Sequence, residues 1–310
     1  MVRAAVGLAG LAGLAGAGLV GACAPAAGRD RITVATGAPQ GVYRRLGDAL
    51  AGIWHTEIGV ATSVLASEGS VDNVGMLGDG RADVGFCAAD VAADGGRSGA
   101  PLRAIARVHD DAVHVVVPAG SPARRLADLR GRRVSVGAPN SGVIVIVPRL
   151  LATVGLVPGR DLVPVPLGLA ESAAALRDGT IDAFFWSGGL PTAGVEALAR
   201  VLPIRLLDLT EQADPVRRAF PVYEVATIPA RTYGLPDPVA TVSVRNLLLV
   251  RADLDDATAA ALTSSLLDRR AALVAADPAG RSVDPRTAIG TQPVALHPGA
   301  AAAYRRLKGL

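Results

Sequence analysis

The chain has 310 residues, half of them hydrophobic, and a formal charge of +3. That is more than one core usually needs, so two lobes around a large interior are expected. The single lysine, Lys308, excludes a G-x-x-x-x-G-K-[ST] phosphate loop, an internal Schiff-base lysine and most kinase-like chemistry. The arginines lie singly or in pairs among Asp and Glu and form no basic stripe or aromatic platform, so no nucleic-acid partner is expected.

The N-terminus reads as a secretory signal. Arg3 precedes a Leu/Ala/Gly-rich run from Ala4 to Val20, with small residues just before Cys23. The run is too short and glycine-rich for a spanning helix. Small residues directly before a cysteine resemble the bacterial lipobox, so Cys23 is the expected lipidation site, with residues 1–22 a signal peptide and 23–30 a lipid-anchored tether. Without Arg3 the charge is +2, from 30 basic and 28 acidic residues.

From Arg31 onward, β-branched runs alternate with helical spacing, which predicts an α/β fold of parallel-rich sheets flanked by helices. Ile32 to Ala35 forms the first strand, Gly37 to Gly41 a turn, and Tyr43 to Trp54 a helix. Ser67 to Asn73 is a second turn into a helix, with Ser70 as its cap and Val71, Val74 and Leu77 on its buried face. Asp79-Gly80-Arg81-Ala82-Asp83 ends that helix and leads into Val84 to Ala88, where Cys87 has the setting of a small buried thiol. Asp110-Asp111 reads as a solvated polar turn, and Val113 to Pro118 as an apolar strand.

The same words then return. Arg133-Val-Ser-Val-Gly137-Ala138-Pro139 repeats Arg31-Ile-Thr-Val-Ala-Thr-Gly37-Ala38-Pro39, and Asp178-Gly179-Thr180-Ile181-Asp182 repeats Asp79 to Asp83. The offsets agree: 137 − 37 = 100 and 179 − 80 = 99. Two similar lobes follow from them. Phe184 to Pro191 closes a strand of the second lobe, with Phe184 in its core and Trp186 a wall of the cleft. Ala240 to Val250 is a second long β-rich run. It and Val113 to Pro118 are the expected crossing strands, and the helices from Asp256 onward return to the first lobe. The lobes are thus residues 31–116 with 243–310, and residues 117–242.

A loop that leaves a parallel strand and enters a helix lies where ligands bind, and the free amides of the helix start favour an anion. The candidate ligand-binding residues are Gly37, Ala38, Gln40, Gly41, Val42 and Tyr43 of the first such loop, and Ser67, Gly69, Ser70 and Cys87 beside it. Ser141, Gly142, Val143, Trp186 and Pro191 face them from the second lobe. A carboxylate or phosphate fits such a helix start, and two starts facing each other across a cleft would grip one ligand from both sides. With Cys23 lipidated, Cys87 has no disulfide partner, and the four histidines have no ligand spacing, so neither a metal nor a cofactor is expected. G-x-S-x-G, H-E-x-x-H and C-x-x-C are all missing, and binding without catalysis is the expectation.

Taken in order, these segments resemble the TAXI family, the solute receptors of tripartite ATP-independent periplasmic (TRAP) transporters. T-G-x-x-x-G-x-Y is Thr36 to Tyr43, G-S-x-x-N is Gly69 to Asn73, and A-D-[LV]-G-F is Ala82 to Phe86. Asp128 to Gly137 and the tail Pro221-Val222-Tyr223 through Ile228-Pro229 also look like the family, and the likeness spans roughly Arg31 to Arg269. Two places depart from it. Val143 stands where the family has a threonine, and Ala38-Pro39-Gln40 where small hydroxyl residues or glycine are usual. The resemblance implies a two-lobed periplasmic-binding-protein-like fold of type II and an extracytoplasmic, membrane-anchored monomer that delivers glutamate or a related acid to a TRAP-type permease. A sensory module or an enzyme on the same fold are the alternatives.

Overall fold

The computed structural model describes residues 28–39, 41–94, 99–307 and 309. The expected signal peptide, Cys23 and Gln40 lie outside the described residues. Two units of the same order form the frame. The first is β1 (Arg31–Ala35), α1 (Val42–Ile58), β2 (Ala61–Leu65), α2 (Ser70–Gly78) and β3 (Val84–Ala88), with a short α3 (Ala89–Ala93) after it. β4 (Leu102–Pro118) crosses to the second unit, which is β5 (Arg133–Ser135), α4 (Val143–Ala152), β6 (Val163–Val165), α5 (Leu169–Arg177) and β7 (Ala183–Gly188). In each unit the first strand lies parallel between the other two.

The repeated words have a shared structural role. Gly80 and Gly179 end α2 and α5 with φ of 71° and 70°, the left-handed region that glycine enters without a Cβ clash. Three residues later, Asp83 accepts a hydrogen bond from the Thr33 amide at 2.8 Å, and Asp182 accepts one from the Arg133 amide at 2.8 Å. Each carboxylate therefore locks a helix-to-strand turn onto the first strand of its own unit.

The chain continues through α6 (Ala193–Ala199), β8 (Ile204–Leu206), α7 (Thr210–Ala219) and β9 (Tyr223–Ile228) to the long β10 (Val239–Arg251). It ends with α8 (Asp256–Asp268), α9 (Arg270–Ala276), α10 (Pro285–Ala288) and α11 (Pro298–Leu307). The sheet order is β2-β1-β3-β10-β4-β7-β5-β6, with β8 on β4 and β9 on β10. The two crossing strands are thus antiparallel partners in the middle of the sheet, and β4 begins well before the Val113 expected from the sequence.

Apolar spacing explains the packing. Leu46, Leu50, Ile53 and Trp54 recur on one face of α1 and are buried against a core that includes Leu262, Leu266 and Tyr304 of the C-terminal helices. The Trp54 indole donates to the Leu262 carbonyl at 3.3 Å, so those helices return to the first unit as expected. A second core joins Val74 and Leu77 of α2 to Ile146 and Leu150 of α4, and a third fills the space between β7 and the helices α5 and α6. Burying each such aliphatic side chain contributes about 1.5–3 kcal/mol.

Candidate functional site

A cavity of about 720 Å³ lies between the two units. From the first unit it is lined by Gly37, Ala38, Gly41, Val42 and Tyr43, and by Ser67, Gly69 and Ser70. From the second come Ser141, Gly142, Val143, Trp186 and Pro191, so both candidate loops share one cavity. Cys87 does not line it: the thiol is fully buried on β3, where it donates to the Ala88 carbonyl, and burial pushes its pKa well up.

Six helices start at the cavity wall; α3 and α6 follow Ala88 and Thr192, and the other four each have glycine as the N-cap: Gly41 for α1, Gly69 for α2, Gly142 for α4 and Gly168 for α5. None carries a side-chain cap. The first amides of a helix have no partner inside it, and their positive end favours an anion. The third loop, Pro166 to Glu171, went unrecognised in the sequence. Its signal was present, because Gly168 follows Gly69 by the same offset of 99.

The hydroxyls expected to meet a ligand hold the loops instead. Ser70 is the first residue of α2 rather than its cap, because its Oγ accepts from the Ala88 amide at 3.0 Å and lies 3.2 Å from the Tyr43 hydroxyl. Tyr43 donates to Asn246 Oδ1 on β10 and stacks on Phe86. Desolvation raises its pKa well above the usual tyrosine value, so it stays a neutral donor. Ser67 donates to the Thr36 carbonyl at 3.0 Å and Ser141 to the Ala138 carbonyl at 2.8 Å. The Trp186 indole donates to Thr192 at 3.2 Å, which fixes its ring at the wall.

The floor consists of residues that the sequence reading did not select. His109 and Asp111 on β4 line the cavity and are 1% and 8% exposed. The polar turn expected at Asp110-Asp111 is a continuous strand. Alternate residues of a strand face opposite sides, so Asp110 points outward to Arg107 while His109 and Asp111 point to the cleft. Asp90 also lines the cavity and accepts from the Tyr223 hydroxyl at 2.8 Å. Burial raises the pKa of its carboxyl, and the Tyr223 hydrogen bond partly opposes the shift. Arg149 of α4 completes this link between units, donating to Tyr223 at 2.9 Å and to Asp94 at 2.5 Å.

The units touch at the cleft mouth. Asn140 donates to Glu68 at 2.8 Å and accepts at its carbonyl from the Asp72 amide at 3.1 Å, while a Cβ on Gly69 would lie 3.3 Å from Ser141.

Two α/β units joined by paired crossing strands, with a cavity at the carboxyl ends of their strands, define the periplasmic-binding-protein-like fold. The chain belongs to the NMT1-like family, whose model matches residues 34–306. Solved structures agree on the fold. The alkanesulfonate-binding protein SsuA from Xanthomonas axonopodis pv. citri, bound to MOPS, is similar with a TM-score of 0.53 and 18% identity over 90% of this chain and 84% of that one. The periplasmic aliphatic sulphonate binding protein SsuA from Escherichia coli gives 0.50 and 18% over 89% and 83%. The ligand-binding component of an ABC-type import system from Staphylococcus aureus gives 0.50 and 13% over 91% of each chain. Among the described residues no helix is long and apolar enough to cross a membrane.

Proposed function

We propose that the protein is an extracytoplasmic solute-binding protein that holds a small carboxylate-bearing solute between its lobes and delivers it to a membrane transporter. The observation that carries this reading is one cavity edged by four glycine-led helix starts from both units, none capped by a side chain. An anionic group seated there gains charge-assisted hydrogen bonds without any arginine. The similar folds include binding components of import systems and sulfonate-binding proteins, which supports transport as the role and an oxyanion as one pole of the ligand. Binding without chemistry fits the cleft, and delivery proceeds by closure and release.

The finer assignments are part of the same proposal. The lobes exchange within the crossing strands β4 and β10, giving residues 31–116 with 243–310 and residues 117–242. The TAXI-like motifs support a TRAP-type permease as the partner, and the small residues before Cys23 support a lipid anchor that keeps the monomer at the membrane. The test begins with mass spectrometry of solutes that copurify with the protein. Calorimetric titration of the released solute should then show the largest loss, tenfold or more, for Gly41→Val, whose side chain would crowd the start of α1, and smaller losses for Ser141→Ala and Tyr43→Phe, which loosen the loops that shape the cavity. Unchanged affinity in all three folded variants would place the site elsewhere. Cys23→Ser should free the protein from the membrane fraction, and undiminished fatty-acid labelling of that variant would refute the anchor.

A further inference from the structure

The floor of the cleft carries a polar arrangement that the anion-binding helix starts do not account for. Asp111 is 8% exposed, and its Oδ1 has no hydrogen-bond partner. The nearest basic atom is His109 Nε2, at 3.2 Å, in a geometry that makes no hydrogen bond. Neither nitrogen of the His109 ring is hydrogen-bonded, although the ring is 1% exposed and packs edge-on against Tyr43. A buried carboxylate without compensation is costly, and the cost is removed by a cation placed against it.

Acidic side chains outnumber basic ones around the cavity. Asp90, Glu68 and Glu171 line it together with Asp111. Among the described residues Arg45 is the lining arginine, and its guanidinium is bound to the buried Asp277 at 2.5 Å. The cavity therefore has two poles: helix starts near Gly41, Gly69, Gly142 and Gly168, and carboxylates at the floor and rim.

We propose that Asp111, with His109 beside it, is a recognition site for a protonated amine, and that the cleft selects a solute carrying at least one such amine and no net negative charge. This rests on the solute-binding reading above and narrows its ligand. The carboxylate of the solute sits at the helix starts, and its ammonium donates to Asp111 Oδ1, with the His109 ring next to it. A dianion has no counterpart for its second negative charge and meets the acidic floor.

The test uses the full chain, purified and stripped of copurifying solute by repeated dialysis, in calorimetric titrations with lysine, glutamine, glutamate and succinate. Lysine or glutamine should bind at least tenfold more tightly than glutamate or succinate. Asp111→Asn should lower the affinity of the amine-bearing ligands tenfold or more and shrink their advantage over succinate, whereas Asp110→Asn, on the outward face of the same strand and paired with Arg107, should retain that advantage. If Asp111→Asn does not fold, the ranking of the four ligands on the unaltered protein decides the matter. Tighter binding of succinate or glutamate, or a copurifying solute without an amine, overturns the amine site and leaves the solute-binding function standing. Protein that carries no solute and binds none of the four overturns both.

Discussion

The two units share one plan but hold their loops by different means. In the first, Asn73 of α2 is buried and donates to the Thr36 carbonyl at 2.6 Å and the Phe86 carbonyl at 2.8 Å, joining the loop after β1 to β3. Its counterpart in the second unit, 99 residues on, is Ser172, which reaches Ser135 at 2.7 Å. Tyr43, Ser70 and Asn246 add a side-chain chain on the first side. On the second side, Ser141 closes only its own turn and Val143 is buried among apolar neighbours. The first cradle is a polar network spanning several elements, and the second is a tight turn packed by shape. The two units share a backbone path and differ in the side chains that stiffen it.

The equivalent glycines should separate the two designs most. Gly137 has φ of 91°, and a Cβ there would lie 2.5 Å from Val143 Cβ, whereas at Gly37 the nearest atom would be 3.5 Å away, an ordinary contact. Gly137→Ala should lower unfolding stability by about 2–4 kcal/mol through strain and overpacking, and Gly37→Ala by no more than about 1 kcal/mol. Equal costs in chemical denaturation would break the comparison.

Acid should act where crossing strand β4 packs against the second unit. His114 on β4 is buried and takes the Tyr233 hydroxyl at Nε2, while its other nitrogen lies 2.9 Å from the Ala112 carbonyl. Desolvation lowers its pKa from 6.5 to about 4. The neutral ring is the folded form, so its contribution is fully present above pH 6.5 and is lost as pH falls from 6.5 toward 4. The loss amounts to about 3 kcal/mol at 1.36 kcal/mol per unit. Denaturant midpoints across that range should flatten in His114→Gln, and an unchanged slope there would remove His114 as the cause.

Smaller effects sharpen the contrast. Asn73→Ala strips hydrogen bonds from two buried carbonyls and should cost about 2–3 kcal/mol, against about 1 kcal/mol for Ser172→Ala. Asp83→Ala and Asp182→Ala remove the same bond from each unit and should be matched, near 1 kcal/mol apiece. A clear inequality between them in thermal unfolding would show that the repeated turns are not equivalent.

Much of this plan was legible in the sequence. Gly80 and Gly179 mark real left-handed caps, Asp83 and Asp182 real turn locks, and the loops at Gly41 and Gly142 do face one cavity. The floor was not. Two adjacent carboxylates interrupting an apolar run look like a turn, and only the pairing of β4 with β10 carries the strand straight through them. Asn246 was hidden for a related reason: in a run that ends Leu-Leu-Leu-Val, nothing local says that its amide meets Tyr43 from 203 positions away. The hydroxyls were assigned to the ligand because a sequence shows a donor but not the carbonyl that occupies it, as Thr36 occupies Ser67.

The bond from the Asp72 amide to the Asn140 carbonyl means that one lobe supplies a cap to a helix of the other. When the lobes part, that amide must find water, and the first turn of α2 loses an anchor beside the loop that shapes the cleft. The exchange rate of this single hydrogen is therefore a gauge of how often the molecule opens. It should slow when solute occupies the cleft, even where the solute never touches it.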